Sequence, residues 1–138
     1  MTLEIRSYQP ADRPALIALW QRIFPDDPAH NAPEFMIDNK LKVQPQLLLV
    51  AILGGQLVGA VMAGFDGTRG WLHHLAVDSE QRRRGIARQL VQAAEHGLRA
   101  LGCPKVNLQV RETNTLVIEF YRRIGYAVEE RVSMGRKL

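Results

Sequence analysis

Residues 75–87 read Leu75-Ala76-Val77-Asp78-Ser79-Glu80-Gln81-Arg82-Arg83-Arg84-Gly85-Ile86-Ala87. The end of an apolar strand runs into a charged loop, and the loop runs into the start of a helix. Downstream, Ile86, Leu90, Val91, Ala94, Leu98 and Leu101 recur at three- and four-residue spacing. That spacing predicts an amphipathic helix from Gly85 to about Leu101. Gly102 stands where a C-terminal cap belongs, and Pro104 blocks continuation. Lys105 to Val110 alternates as a strand. A strand–helix–strand crossover makes the pairing of Trp71–Val77 with Lys105–Val110 parallel or near-parallel.

Upstream the pattern is a meander. Leu47 to Leu53 is an unbroken apolar run of strand length, and Gly54-Gly55 signals a two-residue hairpin. Leu57 to Phe65 returns antiparallel, Asp66-Gly67 turns the chain again, and Trp71 to Val77 is the third strand. Leu3 to Tyr8 alternates as a first strand. Asp12 can cap a helix with Pro14 in its first turn. That helix places Leu16, Leu19, Trp20 and Ile23 on one side, and Pro25 and Pro28 end it. A second helix is expected from Pro33 to about Val43, with Phe35, Met36 and Leu41 as apolar contacts. Beyond the crossover, Asn114 opens a helix through about Ile124 that ends at Gly125. Tyr126 to Leu138 is expected to supply one or two closing strands. The predicted order is β-α-α-β-β-β-α-β-α-β, a mixed α/β fold around a mixed sheet.

The chain of 138 residues is expected to be a single domain, 1–138. A lone cysteine, Cys103, excludes an intramolecular disulfide and a multi-cysteine zinc site, so no metal is expected. The N-terminus lacks a signal-peptide core, and no run approaches the roughly 18 apolar residues of a membrane span. A cytoplasmic protein with no membrane partner is the expectation. Eighteen Lys and Arg against 14 Asp and Glu give a net charge of +4. That excess is weaker than the basic stripe of a dedicated nucleic-acid binder. Exposed aromatic strands and a helix-turn-helix pattern are also missing.

Part of the excess sits in the quoted stretch and the residue that follows it. Arg82, Arg83, Arg84 and Arg88 put four guanidinium groups within seven residues, opposed locally by Asp78 and Glu80. First-turn amides of a helix have no intrahelical partner and, with the helix dipole, form an anion site. Gly85 and the small Ala87 let a phosphate approach the backbone. The same residues would also suit a solvated basic helix start. No GxxxxGK[ST] or GxGxxG motif is present, so neither a P-loop nor a dinucleotide-binding reading fits.

Arg82-x-x-Gly85-x-Ala87, preceded by Leu75-Ala76-Val77, resembles the R/Q-x-x-G-x-G/A signature of GNAT-family N-acetyltransferases. Asn114 followed by Phe120-Tyr121-Arg122-Arg123-Ile124-Gly125-Tyr126 resembles the second signature of that family. Gly64–Gly70 and Gly102–Lys105 also resemble the small bacterial YpeA-like branch. The resemblance implies a GNAT fold, with a central splayed sheet of six to seven strands and about four flanking helices. It implies acetyl-CoA as co-substrate, bound by Arg82, Arg83, Arg84, Gly85, Ile86, Ala87 and Arg88 at the pyrophosphate. Backbone groups of Leu75, Ala76 and Val77 would bond the pantetheine arm in the gap of the sheet. Asn114 would either bond coenzyme A or cap its helix, or do both. A homodimer is common among such relatives.

The implied reaction is direct acetyl transfer to a primary amine in a ternary complex, the acceptor being a small molecule or a protein or peptide. Only about one lysine-like amine in a thousand is neutral at pH 7, so a base or a water chain would help. By the resemblance Tyr121 is the candidate general acid beside the departing sulfur, although it also shares a helix face with Val117 and Ile124. Some relatives carry a glutamate where this chain has Gln109. Strand parity sends Trp71, His73 and Leu75 to one face and Leu72, His74 and Ala76 to the other. His73 is then the candidate base, with Glu112 and ordered water as alternatives. His74 is expected to pack under the helices, and Cys103 to be structural. The acceptor would sit among the first two helices, the Pro25–Pro33 loop and the Asp66–Gly70 turn. Asp26, Asp27, Glu34, Asp38 and Asp66 there would suit a cationic amine, and ordinary surface charge has the same appearance. A non-catalytic acyl-CoA-binding or sensor module is the competing function.

Overall fold

A computed structural model describes residues 1–138 in two compact units, Met1–Leu108 and Gln109–Leu138. The first unit holds strands β1 (Leu3–Ser7), β2 (Leu48–Leu53), β3 (Gln56–Phe65), β4 (Gly70–Val77) and β5 (Val106–Leu108). Its helices are α1 (Arg13–Ile23), α2 (Pro33–Lys40) and α3 (Ile86–Ala100). The second unit holds α4 (Thr115–Arg123).

The sheet runs β1-β2-β3-β4-β5, antiparallel except for the parallel β4–β5 pair. The meander arises where Gly54 and Gly55 take the positive φ values, +56° and +78°, of a two-residue hairpin. One sheet face carries Leu48, Val50, Ala60, Met62 and Ala76, which pack with Leu16, Leu19, Trp20 and Ile37 of α1 and α2. The other face receives α3. A Cβ on Gly59 would stand 3.0 Å from Leu90 and 3.3 Å from Ile86, so only glycine lets α3 lie this close. At Gly70 a Cβ would meet Cys103 Sγ at 2.7 Å and Leu98 at 3.0 Å. Cys103 Sγ also donates to the carbonyl of Lys105 at 3.3 Å.

The sheet has five strands, not six to seven. No strand forms in residues 126–138, where Val128, Val132, Met134 and Leu138 are exposed. Alternation there describes a chain that could pair, but a strand exists only when an edge satisfies its backbone groups. The crossover strand is also shorter than the alternation from Lys105 to Val110 predicts. It pairs with β4 only at Gly70–Leu72 against Val106–Leu108. From His73 onward β4 pairs with no strand on that side.

Strand parity fails inside β4. Ala60 faces Ala76 and Met62 faces His73, so β3 advances two residues while β4 advances three. The extra residue forms a bulge with His74 at φ +51°. His73 and His74 consequently both point to the α1/α2 face. His74 Nε2 meets Asp27 Oδ2 at 2.7 Å, and its ring stands edge-on to Trp20 and Phe24. Trp20 Nε1 donates to the His74 carbonyl at 3.1 Å, which holds the bulge against α1.

Asp12 precedes α1 but does not cap it with its side chain. Its carboxylate accepts two bonds from Arg6, at 2.7 and 3.0 Å, and one from the Gln9 amide at 2.8 Å. A bidentate guanidinium contact is stronger than a neutral amide cap, and it ties β1 to the start of α1.

In the second unit, Asn114 caps α4, its Oδ1 accepting from the Val117 amide at 3.4 Å. Gly125 ends the helix at φ +105°. Tyr121 is buried, with Phe120 and Tyr126 edge-on to its ring at 5.0 and 5.4 Å.

Candidate active site

The charged loop after β4 is shaped by its own backbone. The Asp78 amide donates to Val58 at 2.8 Å, and the Asp78 carboxylate accepts from the Glu80 amide at 3.0 Å and meets Arg22 at 3.5 Å. Asp78 is thus engaged away from the arginines that follow it. Arg83 and Gly85 take left-handed conformations, φ +65° and +74°, and α3 starts at Ile86. Gly85 is the N-cap and has no side chain, so no intramolecular acceptor caps the first-turn amides. A Cβ on Gly85 would find only Gln89, at 4.0 Å, so the space before the helix end is open.

Arg82, Arg83, Arg84 and Arg88 are exposed, and none joins an ion pair. Ile86 is buried under the sheet and fixes the helix, while Ala87 is half-buried. The donor set is uncapped amides, an open glycine and four free guanidinium groups. That set fits a diphosphate. Of the residues beside the gap, Ala76 is buried in the α1/α2 core, whereas Leu75 and Val77 are half-buried. The gap-side backbone of β4 from His73 to Val77 is left without a strand ladder, as an extended amide-bearing ligand would need.

On the α2 face, an open cleft of about 400 Å³ lies between α2, the preceding turn, β3 and β4. His73 lines it together with Met36, Lys40 and Met62. The ring keeps an exposed edge, but crowding by protein pushes its pKa below the usual value, and the positive charges of His74 and Lys40 push the same way. His73 is therefore neutral at pH 7. Phe35 and Val43 stand at the mouth of the cleft, both exposed.

The acids expected to serve a cationic acceptor do not line this cleft. Asp38 binds Arg13 at 2.8 Å, and Asp27 binds His74. Asp66 accepts from Thr68 and Arg69 amides at 2.8 Å each, which lowers its pKa to about 2 and spends it on the turn. Asp26 and Glu34 are exposed.

Lys40 was not anticipated as a cleft residue. In Asp38-Asn39-Lys40-Leu41-Lys42 it reads as one charge of a solvated helix end. Its spacing of three from Ile37 and four from Met36 was the available signal, because that spacing puts it on the inward stripe of α2. Lys40 is only 8% exposed.

In the second unit, Tyr121 lies inside an aromatic cluster, and burial pushes its hydroxyl above the usual tyrosine range. Glu112 is exposed. Gln109 Nε2 donates to Ser133 Oγ at 2.7 Å.

Residues 13–126 match the family model described as the acetyltransferase (GNAT) family. A protein named acetyltransferase from Pectobacterium atrosepticum is 42% identical over 136 residues, covering 99% of this chain and 96% of the relative. Among solved structures, AAC(6')-Iy in complex with the bisubstrate analog CoA-S-monomethyl-acetylneamine has a TM-score of 0.86 at 21% identity, covering 100% of this chain and 99% of that one. The PaiA N-acetyltransferase of Thermoplasma acidophilum in complex with coenzyme A has a TM-score of 0.82 at 21% identity, covering 96% and 94%. At such identities these structures share the fold with this chain. No helix of the chain is long and apolar enough to cross a membrane.

Proposed function

The chain belongs to the GNAT acetyltransferase family, and from that premise we propose that it transfers the acetyl group of acetyl-CoA directly to a primary amine held in the cleft beside His73. The observation that carries the reading is the uncapped start of α3, with left-handed Gly85 open in front of it and four unpaired arginines around it. Arg82, Arg83, Arg84 and Arg88, with the amides of Gly85, Ile86 and Ala87, bind the pyrophosphate. The gap-side backbone of Leu75, Ala76 and Val77, free of a strand partner on that side, bonds the pantetheine arm. Asn114 and Tyr121 take their roles from the family motif: a bond to coenzyme A and a contact with the sulfur.

Acetyl-CoA supplies an activated thioester, and the chain supplies orientation and a proton path. The amine attacks as the neutral base, a carbon–nitrogen bond forms and the carbon–sulfur bond breaks. Removing a proton from a free ammonium of pKa about 10.4 by an imidazole below 6.5 is uphill by on the order of 5 kcal/mol. His73 therefore acts later, when bond formation has made the nitrogen acidic. A neutral imidazole at pH 7 is then the suitable acceptor. Tyr121 works differently from a full acid. Transfer from a phenol of pKa about 10 to a thiolate whose acid has pKa about 8.5 is already uphill, and burial steepens it. Tyr121 stabilises the departing sulfur by donating a hydrogen bond, and the proton released by the amine balances the thiol product.

Gln109 in place of a carboxylate supports a second reading, an acyl-CoA-binding module without catalysis. Thiol release from acetyl-CoA, screened over amine pools, separates the two. Amine-dependent release is expected. Tight acetyl-CoA binding with no release from any pool would leave the binding module.

A further inference from the structure

Lys40 ends α2 and is more than nine-tenths buried, and its side-chain ammonium has neither a hydrogen-bond nor an ion-pair partner. It lines the cleft, and its Nζ lies 3.5 Å from where a Cβ on Gly64 would stand. His30 and His73 line the same cleft, and no Asp or Glu does. The nearby acids Asp27, Asp38 and Asp66 are each bonded elsewhere in the fold. Met36, Met62, Phe35 and Val43 make the remaining wall largely apolar.

An ammonium in this setting has given up much of its water and keeps only its opening to the cleft, with no protein group bonded to it. Burial holds the Lys40 pKa below its usual value, and the positive charge acts on His73 as well. A bound carboxylate would return the missing interaction as a charge-assisted hydrogen bond. A polycation would add repulsion instead, so the cleft discriminates by what it disfavours as much as by what it attracts.

Resting on the acetyltransferase reading above, we propose that Lys40 binds a carboxylate on the acceptor and so determines specificity, which makes the acceptor class an amino-carboxylic acid with a compact apolar body. A free amino acid has this chemistry: its carboxylate at Lys40, its side chain on Met36 and Met62, its amine toward His73. Polyamines and aminoglycosides do not.

Two measurements test this. Thiol release is compared for L-phenylalanine, L-phenylalaninamide and spermidine, in wild type and in Lys40→Met. The free acid is expected to exceed the amide and spermidine at least tenfold in kcat/KM. Lys40→Met should lower the acid's kcat/KM at least tenfold through KM, raise the weak spermidine rate by relieving its repulsion, and keep acetyl-CoA affinity. Methionine replaces the buried charge with an apolar chain of similar length, so Tm should hold or rise. Lys40→Gln gives the same comparison should Lys40→Met not fold.

Independently of turnover, calorimetry compares 3-phenylpropionate with 3-phenylpropanamide in the presence of coenzyme A. The acid is expected to bind at least tenfold more tightly, and only in wild type. Equal binding, no binding of the acid, or a preference for spermidine would overturn the proposal. Absence of thiol release with every amine, while the acid still binds through Lys40, would instead overturn the acetyltransferase reading.

Discussion

At the scale of single residues, the two side chains assigned to the proposed chemistry have their pKa values shifted in opposite directions by desolvation. Tyr121 is held protonated, and its hydroxyl is the group the motif places at the sulfur. Tyr121→Phe removes one hydrogen bond to a developing negative charge, worth about 1.5–3 kcal/mol. We expect kcat to fall about 10–100-fold with acetyl-CoA affinity unchanged in calorimetry; a wild-type kcat would remove Tyr121 from the reaction. His73 is held neutral. Its folded pKa lies below the ordinary 6.5, so the acidic limb it contributes to the kcat/KM profile lies below pH 6.5. His73→Ala should lower the rate and abolish that limb, and an unchanged profile would assign the proton path to water or Glu112. His73 was legible as a candidate because the meander puts it on an interior strand. Lys40 was not, because charge in a sequence reads as exposure until tertiary packing shows what covers it.

At the scale of elements, the start of α3 and the bulge of β4 position the site. Gly85 at φ +74° accepts a side chain poorly, and any side chain would enter the space before the first-turn amides. Left-handed conformations disfavour residues with a Cβ by about 1–2 kcal/mol. Arg84→Glu combined with Gly85→Glu should abolish coenzyme A binding while circular dichroism stays native. Unchanged affinity would refute the phosphate assignment. This loop was readable from residues 75–87 because its determinants are local: a glycine, a helix periodicity and a row of arginines. The bulge was not. One extra residue in β4 depends on how β3 and α1 meet it, through Trp20, Phe24 and Asp27, which lie about 50 positions away in the chain. Parity assigned His73 to the correct face and misplaced His74, whose role under the helices nonetheless matched its expected packing.

At the scale of the whole molecule, stability follows pH through its few buried charges. Asp12 is about nine-tenths buried, and Arg6 holds its carboxyl below the ordinary value of 3.8. The stabilisation from this pair is present above pH 3.8 and is lost as pH falls through the folded value. Lys40 acts in the other pH range. Its folded pKa is lowered, so its penalty is present below that value and is relieved as pH rises toward 10.5. Asp12→Asn should destabilise urea unfolding at pH 7 by about 1–3 kcal/mol, because it leaves the Arg6 guanidinium without its bidentate partner. A change within about 0.5 kcal/mol would show the pair to be dispensable.

The sequence by itself determined the meander, the parallel crossover, the amphipathic α3 and the arginine-rich, glycine-started loop before it, because periodicity, glycine turns and helix starts act over a few residues. The tertiary structure alone decided how many strands the sheet holds, since residues 126–138 were expected to close it but find no ladder. It also decided the sign of the charge in the cleft beside His73. Five acids in sequence pointed to a cationic guest, but packing binds or exposes those acids and turns Lys40 inward. Charge in a cleft is set by which side chains lack partners there, and that is a property of contacts between distant segments.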